Sequence, residues 1–358
     1  MNISEYIKYV QHEIREKDYD DYAHVFHEYK KYLEERIKEN PKDIEAVCQL
    51  AAVSFELRYE HLCPITLMED FLSRYADEIS AQDKARMYTN LAFFYEDDDD
   101  KEKCLSCLEK AVQLNPDVPN AYNALGRLYM KNGDTHEALE LFEKACTLST
   151  EPKYQYNLAV AFYQRGDISA AKAAFEKLLP QHQDERRIVY GYAACCFYSG
   201  EKIEAVKIAD ELAGEENEEA WEYIAESEIA GIYFLCGEYE KHNEMYDRAE
   251  YYTDASWLAP YFYGLKARQK MDTMKQKLAA VMEEKDKAIA EIHAEELDTD
   301  FTEADKREYA QNFQKEKDDI LQAYCKILHE EYKPEVTMRL WFMYGCYLID
   351  CPRHQRIP

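Results

Sequence analysis

Residues 119–152 read PNAYNALGRLYMKNGDTHEALELFEKACTLSTEP, and two helical patterns hinge there on Gly133. In the first, Tyr122, Leu125, Gly126 and Tyr129 recur at spacings of three, one and three, which keeps them on one helical face. In the second, Ala138, Phe142 and Ala145 do the same. Small residues at Gly126, Ala138 and Ala145 let two helices approach closely, and the large ones fill the volume between them. Gly133 tolerates the left-handed conformation that ends a helix. Asp134 suits the positive N-terminus of the helix that follows. The stretch predicts a helix–turn–helix unit.

The unit recurs. Gly133, Gly166, Gly200 and Gly237 are 33, 34 and 37 residues apart, and the next residues are Asp134, Asp167, Glu201 and Glu238. Seven positions before each turn stands a small residue: Gly126, Ala159, Ala193 and Ala230, with Ala92 one unit earlier and Asp99 at its turn. Three positions on, the column reads Tyr95, Tyr129, Phe162, Cys196 and Tyr233. After the turn come Cys104, Ala138, Ala171, Ala205 and His242, then Leu108, Phe142, Phe175, Ala209 and Tyr246. A period near 34 residues signals a helical solenoid.

This column set resembles the tetratricopeptide repeat: an aromatic, Leu-Gly, Tyr, then Ala, Phe, Ala and a late Pro. The resemblance covers residues 85–252 and is looser around Ala193 and Ala230, where Cys196 and Ala209 are undersized and His242 replaces a small residue. It implies an all-α fold, a right-handed α-solenoid of helix pairs with a C-terminal helical extension. Residues 1–84 are then an N-terminal region of degenerate repeats, 85–252 the repeat core, and 253–358 a helical hairpin with a capping helix. In the first region a short helix precedes a long one over Tyr19–Glu39, whose stripe is Tyr22, Val25, Phe26, Tyr29, Leu33 and Ile37. Beyond Ala259-Pro260 the glycine period stops. Residues 264–297 and 303–332 then read as two long charged helices, with Thr302 and Asp305 as a capping box for the second. The segment from Glu335 to Leu348 reads as a last helix, serving as a cap on the stack or as a self-association face.

Composition narrows the function. The net charge of −28 disfavours nucleic acid and anionic membranes as partners. Residues 201–259 hold 17 acids and 4 bases, −13 of that total, which is a solvated face or an electrostatic match to a basic partner. Ten glycines and ten prolines among 358 residues leave little room for long loops. The eleven cysteines lie within helical patterns. Cys104 and Cys107 form a CxxC with no second pair at zinc spacing, so reduced, buried thiols and a cytoplasmic location are expected. The N-terminus mixes charges unlike a signal peptide. The apolar run Leu340–Ile349 is too short to span a bilayer as a helix. His24 and His27 read as surface residues and Asp97–Asp100 as a solvated turn, and no catalytic motif appears. The chain is therefore expected to be no enzyme and to need no cofactor or metal.

In the resembled family, ligands meet the inner face of the first helix of each unit. Carried onto this chain, that face holds Asn120, Asn123, Arg127, Met130 and Lys131, then Lys153, Tyr156, Asn157 and Tyr163, then Arg187, Tyr190, Phe197 and Tyr198. The set is basic and aromatic in an acidic chain, which suits an extended peptide with an acidic group or free carboxylate. The same positions also suit packing between repeats. Lys153 and Asn157 sit where chaperone-binding members of the family clamp a carboxylate, but the full clamp is missing. The expected function is a protein-interaction module that binds a peptide or protein segment in this groove. One alternative resembles bacterial receptors that sense a peptide with such repeats, the hairpin at 264–332 acting as effector arm. The other is neutralisation of a basic toxin or enzyme by the acidic stretch.

Overall fold

A helix pair can turn within two or three residues only if one of them takes a left-handed conformation. The computed structural model shows that device at regular intervals. It describes residues 1–16, 19–58, 62–181, 185–214, 224–248, 253–294, 302–334 and 347–354. Among these, seven residues have positive φ, and each closes a helix: Arg58 (52°), Asp99 (57°), Gly133 (90°), Gly166 (88°), Gly200 (86°), Gly237 (92°) and Gln269 (59°). At six of the seven, the next N–H bonds the carbonyl five residues before it. These bonds are Asp100 to Tyr95, Asp134 to Tyr129, Asp167 to Phe162, Glu201 to Cys196, Glu238 to Tyr233 and Lys270 to Leu265, all at 2.8–2.9 Å. The first five acceptors are the aromatic-rich column of the repeat.

The helices are α1 (Ile3–Glu16), α2 (Tyr19–Glu39), α3 (Ile44–Glu56), α4 (Pro64–Tyr75), α5 (Ala81–Asp97), α6 (Lys101–Leu114), α7 (Pro119–Asn132), α8 (Thr135–Leu148), α9 (Pro152–Arg165) and α10 (Ile168–Leu178). They continue with α11 (Arg186–Tyr198), α12 (Lys202–Gly214), α13 (Glu226–Cys236), α14 (Tyr239–Asp247), α15 (Ala255–Ala267), α16 (Met271–Ala294) and α17 (Glu303–His329). No strand occurs among the described residues. The chain divides into two compact units, 1–178 with 339–358, and 179–338. One stack of hairpins runs from α1 to α10.

In the first unit, successive hairpins α3–α4, α5–α6, α7–α8 and α9–α10 pack side by side. The stripe of α2 is buried as its spacing predicts: Val25, Phe26, Tyr29 and Leu33 meet Ile3, Ile7 and Val10 of α1 and Leu50 and Val53 of α3. The main core joins Ala92, Leu91 and Phe94 of α5, Cys104, Leu108 and Ala111 of α6, and Ala121 and Leu125 of α7. It also takes in Tyr347, Leu348 and Cys351, far away in sequence. Gly126 carries the close approach of α7 to α8, since a Cβ there would stand 2.7 Å from the buried Phe142 ring.

In the second unit, α11–α12 and α13–α14 are hairpins of the same kind. The repeat does not stop at Pro260, which lies inside α15. Gly264 lies five residues before the left-handed Gln269, and the small-residue column, seven before the turn, is filled here by Phe262. A Cβ at Gly264 would meet His242 at 2.5 Å and Asn243 at 2.8 Å. This explains His242, the large residue in a small column. Its ring is fully buried, lies 2.9 Å from both the Ala230 and Pro260 carbonyls, and fits because the facing helix gives up its side chain. The stretch expected as one helix from 264 breaks at Gln269. Only α16 and α17 form the long hairpin, seated on α15 through Leu258, Phe262, Leu265, Met274, Val281, Ile320 and Ile327. Thr302 and Asp305 form the expected capping box. The helix expected over 335–348 lies outside the described residues except at Tyr347 and Leu348, which are not helical.

Two substitutions separate steric from conformational control. Gly126→Ala adds helix propensity worth about 1 kcal/mol, but it drives a methyl into Phe142, an overpacking that costs about 1–3 kcal/mol. A net loss of stability is expected, read as a lower urea midpoint. Asp99→Gly relieves a side chain held in the left-handed region and should stabilise the fold by about 0.5–1 kcal/mol, raising that midpoint. A stabilised Gly126→Ala or a destabilised Asp99→Gly contradicts this account of the turns.

Candidate functional site

The inner face of the first unit is built by α3, α5 and α7, the first helices of three successive hairpins. On α7, spacings of seven and four residues put Asn120, Arg127 and Lys131 on one side of the helix. One repeat earlier the columns of Asn120, Arg127 and Met130 are Arg86, Phe93 and Glu96 on α5, with Asn90 beside them. These were not among the residues expected from the sequence. Counting the columns back one more unit finds Arg86, Phe93 and Glu96 but not Asn90.

The chain's own residues 347–354 lie along this face, running from α7 past α5 to α3 and α2. Tyr347 is 2% exposed. Its ring stands edge-on to Phe93 at 5.4 Å, with the Arg127 guanidinium 5.8 Å from its centre. The Tyr347 hydroxyl lies 3.8 Å from Cys104 Sγ and is hydrogen-bonded to Glu96. Asn120 Nδ2 donates to the Tyr347 carbonyl at 3.0 Å. Asn90 serves twice: its Oδ1 accepts from the Ile349 N–H at 2.9 Å, and its Nδ2 donates to Asp350 at 2.6 Å. Arg86 forks onto the same carboxylate, with Nε 2.8 Å from Oδ2 and an Nη on Oδ1. Gln11 Nε2 donates to the Pro352 carbonyl at 3.3 Å. Arg353 pairs with Glu56 at 2.7 Å and lies over Phe26.

The electrostatics follow from these contacts. Asp350 has no exposed surface, and a carboxylate there needs several donors to replace water. Arg86 and Asn90 supply three. Burial works against the charge on Arg86, yet the Asp350 hydrogen bond and charge hold its guanidinium above the usual range. Burial raises the Glu96 carboxyl, but Arg127 and Lys131 outweigh it and keep the group below its ordinary value. Burial pushes the Cys104 and Cys107 thiols up to about 11, so they stay protonated and unreactive at neutral pH.

The other expected site residues divide by unit. In the first unit, Asn123 and Asn157 are buried and bond each other at 3.0 Å, which leaves Asn123 Nδ2 and Asn157 Oδ1 as buried polar atoms with no partner among the described residues. Tyr156 is 2% exposed and packs edge-on against Phe175, so its ring serves packing between helices and not an open surface. Met130 packs partly buried against Ala138 and Phe142, and Tyr163 is half-buried. In the second unit, Tyr190 is buried, while Phe197 and Tyr198 meet edge-on and Tyr198 is 46% exposed. The expected local excess of positive charge is corrected. Arg127 and Lys131 reach Glu96 at 3.4 and 2.6 Å, Lys153 reaches Glu151 at 3.1 Å, and Arg187 reaches Glu228 at 2.9 Å. Each base keeps its acid within the same unit. Glu215, Glu216, Glu218 and Glu219, the densest part of the acidic stretch, lie outside the described residues. No helix among the described residues is long and apolar enough to cross a membrane.

Two family models, both described as tetratricopeptide repeat, match residues 83–151 and 131–193. No curated protein matches the chain. Similar solved structures include a tetratricopeptide repeat protein from Parabacteroides merdae, 16% identical at a TM-score of 0.46 over 74% of this chain and 98% of that one. Yeast Tom70 is 15% identical at 0.47, over 86% of this chain and 61% of that one. PilW, a type IV pilus biogenesis factor, is 18% identical at 0.48, over 55% of this chain and 91% of that one. The two overlapping family matches fall on the hairpins whose turns and small-residue columns are described above, and residues 83–193 are tetratricopeptide repeats.

Proposed function

We infer that this protein is a protein-interaction scaffold whose inner face, on α3, α5 and α7, binds a segment of a partner. One observation carries the reading: a non-helical stretch of polypeptide with two turns is already seated there, held by side chains that bond its backbone as well as its side chains. Backbone bonds hold a chain whatever its sequence, and pockets for individual side chains select among sequences. The face offers both. The binding surface of this reading is centred one repeat closer to the N-terminus than the columns from Asn120 to Tyr198, with Asn120, Arg127 and Lys131 at its edge.

Affinity capture from cell extract with the full chain, followed by mass spectrometry, tests the reading through its variants. Truncating an interface anchor weakens binding by about 2 kcal/mol or more, near thirtyfold. Asn120→Ala and Phe93→Ala should each deplete the captured partner to that degree while circular dichroism shows the helices intact. Neutralising Glu215, Glu216, Glu218 and Glu219 together should change mainly the salt dependence of association. Capture that survives both inner-face variants but is lost with the four glutamates would replace this reading with recognition of a basic partner.

A further inference from the structure

The stretch 347–354 is built like a ligand. Its internal backbone bonds are two loose turns, Cys351 to Leu348 and His354 to Cys351, both at 3.3 Å. Cys351 Sγ also lies 3.3 Å from His354 Nδ1, and the anchoring bonds described above come from the repeat helices. Its three anchoring side chains are evenly spaced, at Tyr347, Asp350 and Arg353, and each meets a different helix set. The tyrosine enters the recess of Phe93, Cys104, Glu96 and Arg127. The aspartate meets Arg86 and Asn90. The arginine meets Glu56 and the Phe26 ring. The tyrosine recess and the aspartate site lie on α5, α6 and α7, whose hairpins are closed by the turns at Asp99 and Gly133.

Resting on the reading above, we propose that residues 347–354 are a displaceable internal ligand, and that the partner is a protein segment carrying tyrosine, an acid three residues on and arginine six residues on, which competes for the same sites. The groove selects that order. A hydroxyl is needed to reach Glu96 and Cys104, an acid to satisfy Arg86 and Asn90, and a base to satisfy Glu56, because a buried charge left without its partner is strongly unfavourable. An occupant on the same chain competes intramolecularly, and a free partner has to overcome that advantage. The internal segment therefore raises the concentration of partner required and sets a threshold for binding.

The probe is a fluorescein-labelled peptide with the sequence of residues 347–354, titrated by anisotropy against the full chain. The wild type should bind it weakly. Asp350→Ala, which alters the occupant and leaves every groove residue in place, should bind it at least tenfold more tightly. A peptide with its aspartate changed to asparagine, or its tyrosine to alanine, should lose at least tenfold on that variant. Equal affinity for wild type and Asp350→Ala, or equal binding of the altered peptides, overturns the proposal. Hydrogen exchange on the wild type gives a reading that does not depend on the variant folding. The Ile349 amide should exchange at least tenfold faster than the central amides of α5, and faster again with excess peptide. Exchange as slow as that of α5 would make the segment a permanent part of the core. A dimer that forms through exchanged C-terminal segments as concentration rises would make the competitor a second copy and overturn the assignment to a foreign partner. If capture still depends on Phe93 and Asn120 while the peptide fails to compete, the binding face stands and the internal-ligand proposal alone falls.

Discussion

The architecture depends on one backbone hydrogen bond, from the N–H just past each left-handed residue to the carbonyl five positions earlier. It satisfies a helix-end carbonyl that would otherwise need water, and it reverses the chain within three residues. So short a turn fixes the register of the second helix against the first, and the small residue seven positions upstream can then lie opposite a large one. Gly126 against Phe142 is that arrangement within one hairpin, and Gly264 against His242 makes a similar exchange of volume between a hairpin and the next helix. Where the filling is large, the facing helix has no side chain, and the volume at the contact is conserved while its composition is not.

This dependence explains what the sequence reveals and what it conceals. Glycine at a left-handed position is visible, and four turns announce themselves. Asp99 is recoverable because aspartate tolerates that conformation and its neighbouring columns are intact. Arg58 and Gln269 adopt it without any preference for it. Those turns are therefore silent in sequence, and α15 with its continuation of the repeat is missed along with them. The second long helix and its capping box are legible because the signals lie within four residues of each other. The segment 347–354 is not, because its meaning resides in contacts with residues more than 200 positions away, such as Asn90 and Arg86.

The candidate site shows the same division. Asn120, Arg127 and Lys131 follow from counting columns. The count does not distinguish a side chain facing a ligand from one facing the next repeat. Tyr156 and Tyr190 have the composition of interface anchors and are buried in packing, and Asn123 and Asn157 are spent on each other. An aromatic residue on a first helix is thus ambiguous until its neighbour in the adjacent hairpin is known. Tyr156 is claimed by Phe175, whereas Phe93 is met by Tyr347 from outside the repeats.

Charge on this molecule acts at two ranges. Over long distances the −28 total repels acidic partners and, by that means, suppresses weak association with the many acidic surfaces of other proteins. At short range each inner-face base is already neutralised by a carboxylate of its own unit, so the face has no broad attraction for acid either. Arg86 is the base whose acid comes from the docked segment. Any carboxylate could neutralise it, but only one with a tyrosine three residues before it also fills the recess at Phe93, and only one with an arginine three residues after it also reaches Glu56. The Tyr–Asp–Arg triplet carries one acid and one base, so it gains and loses equally in the long-range field. Selection at this face is therefore made almost wholly by contact, through the spacing of three side chains along a turned backbone, and electrostatic steering contributes little to it.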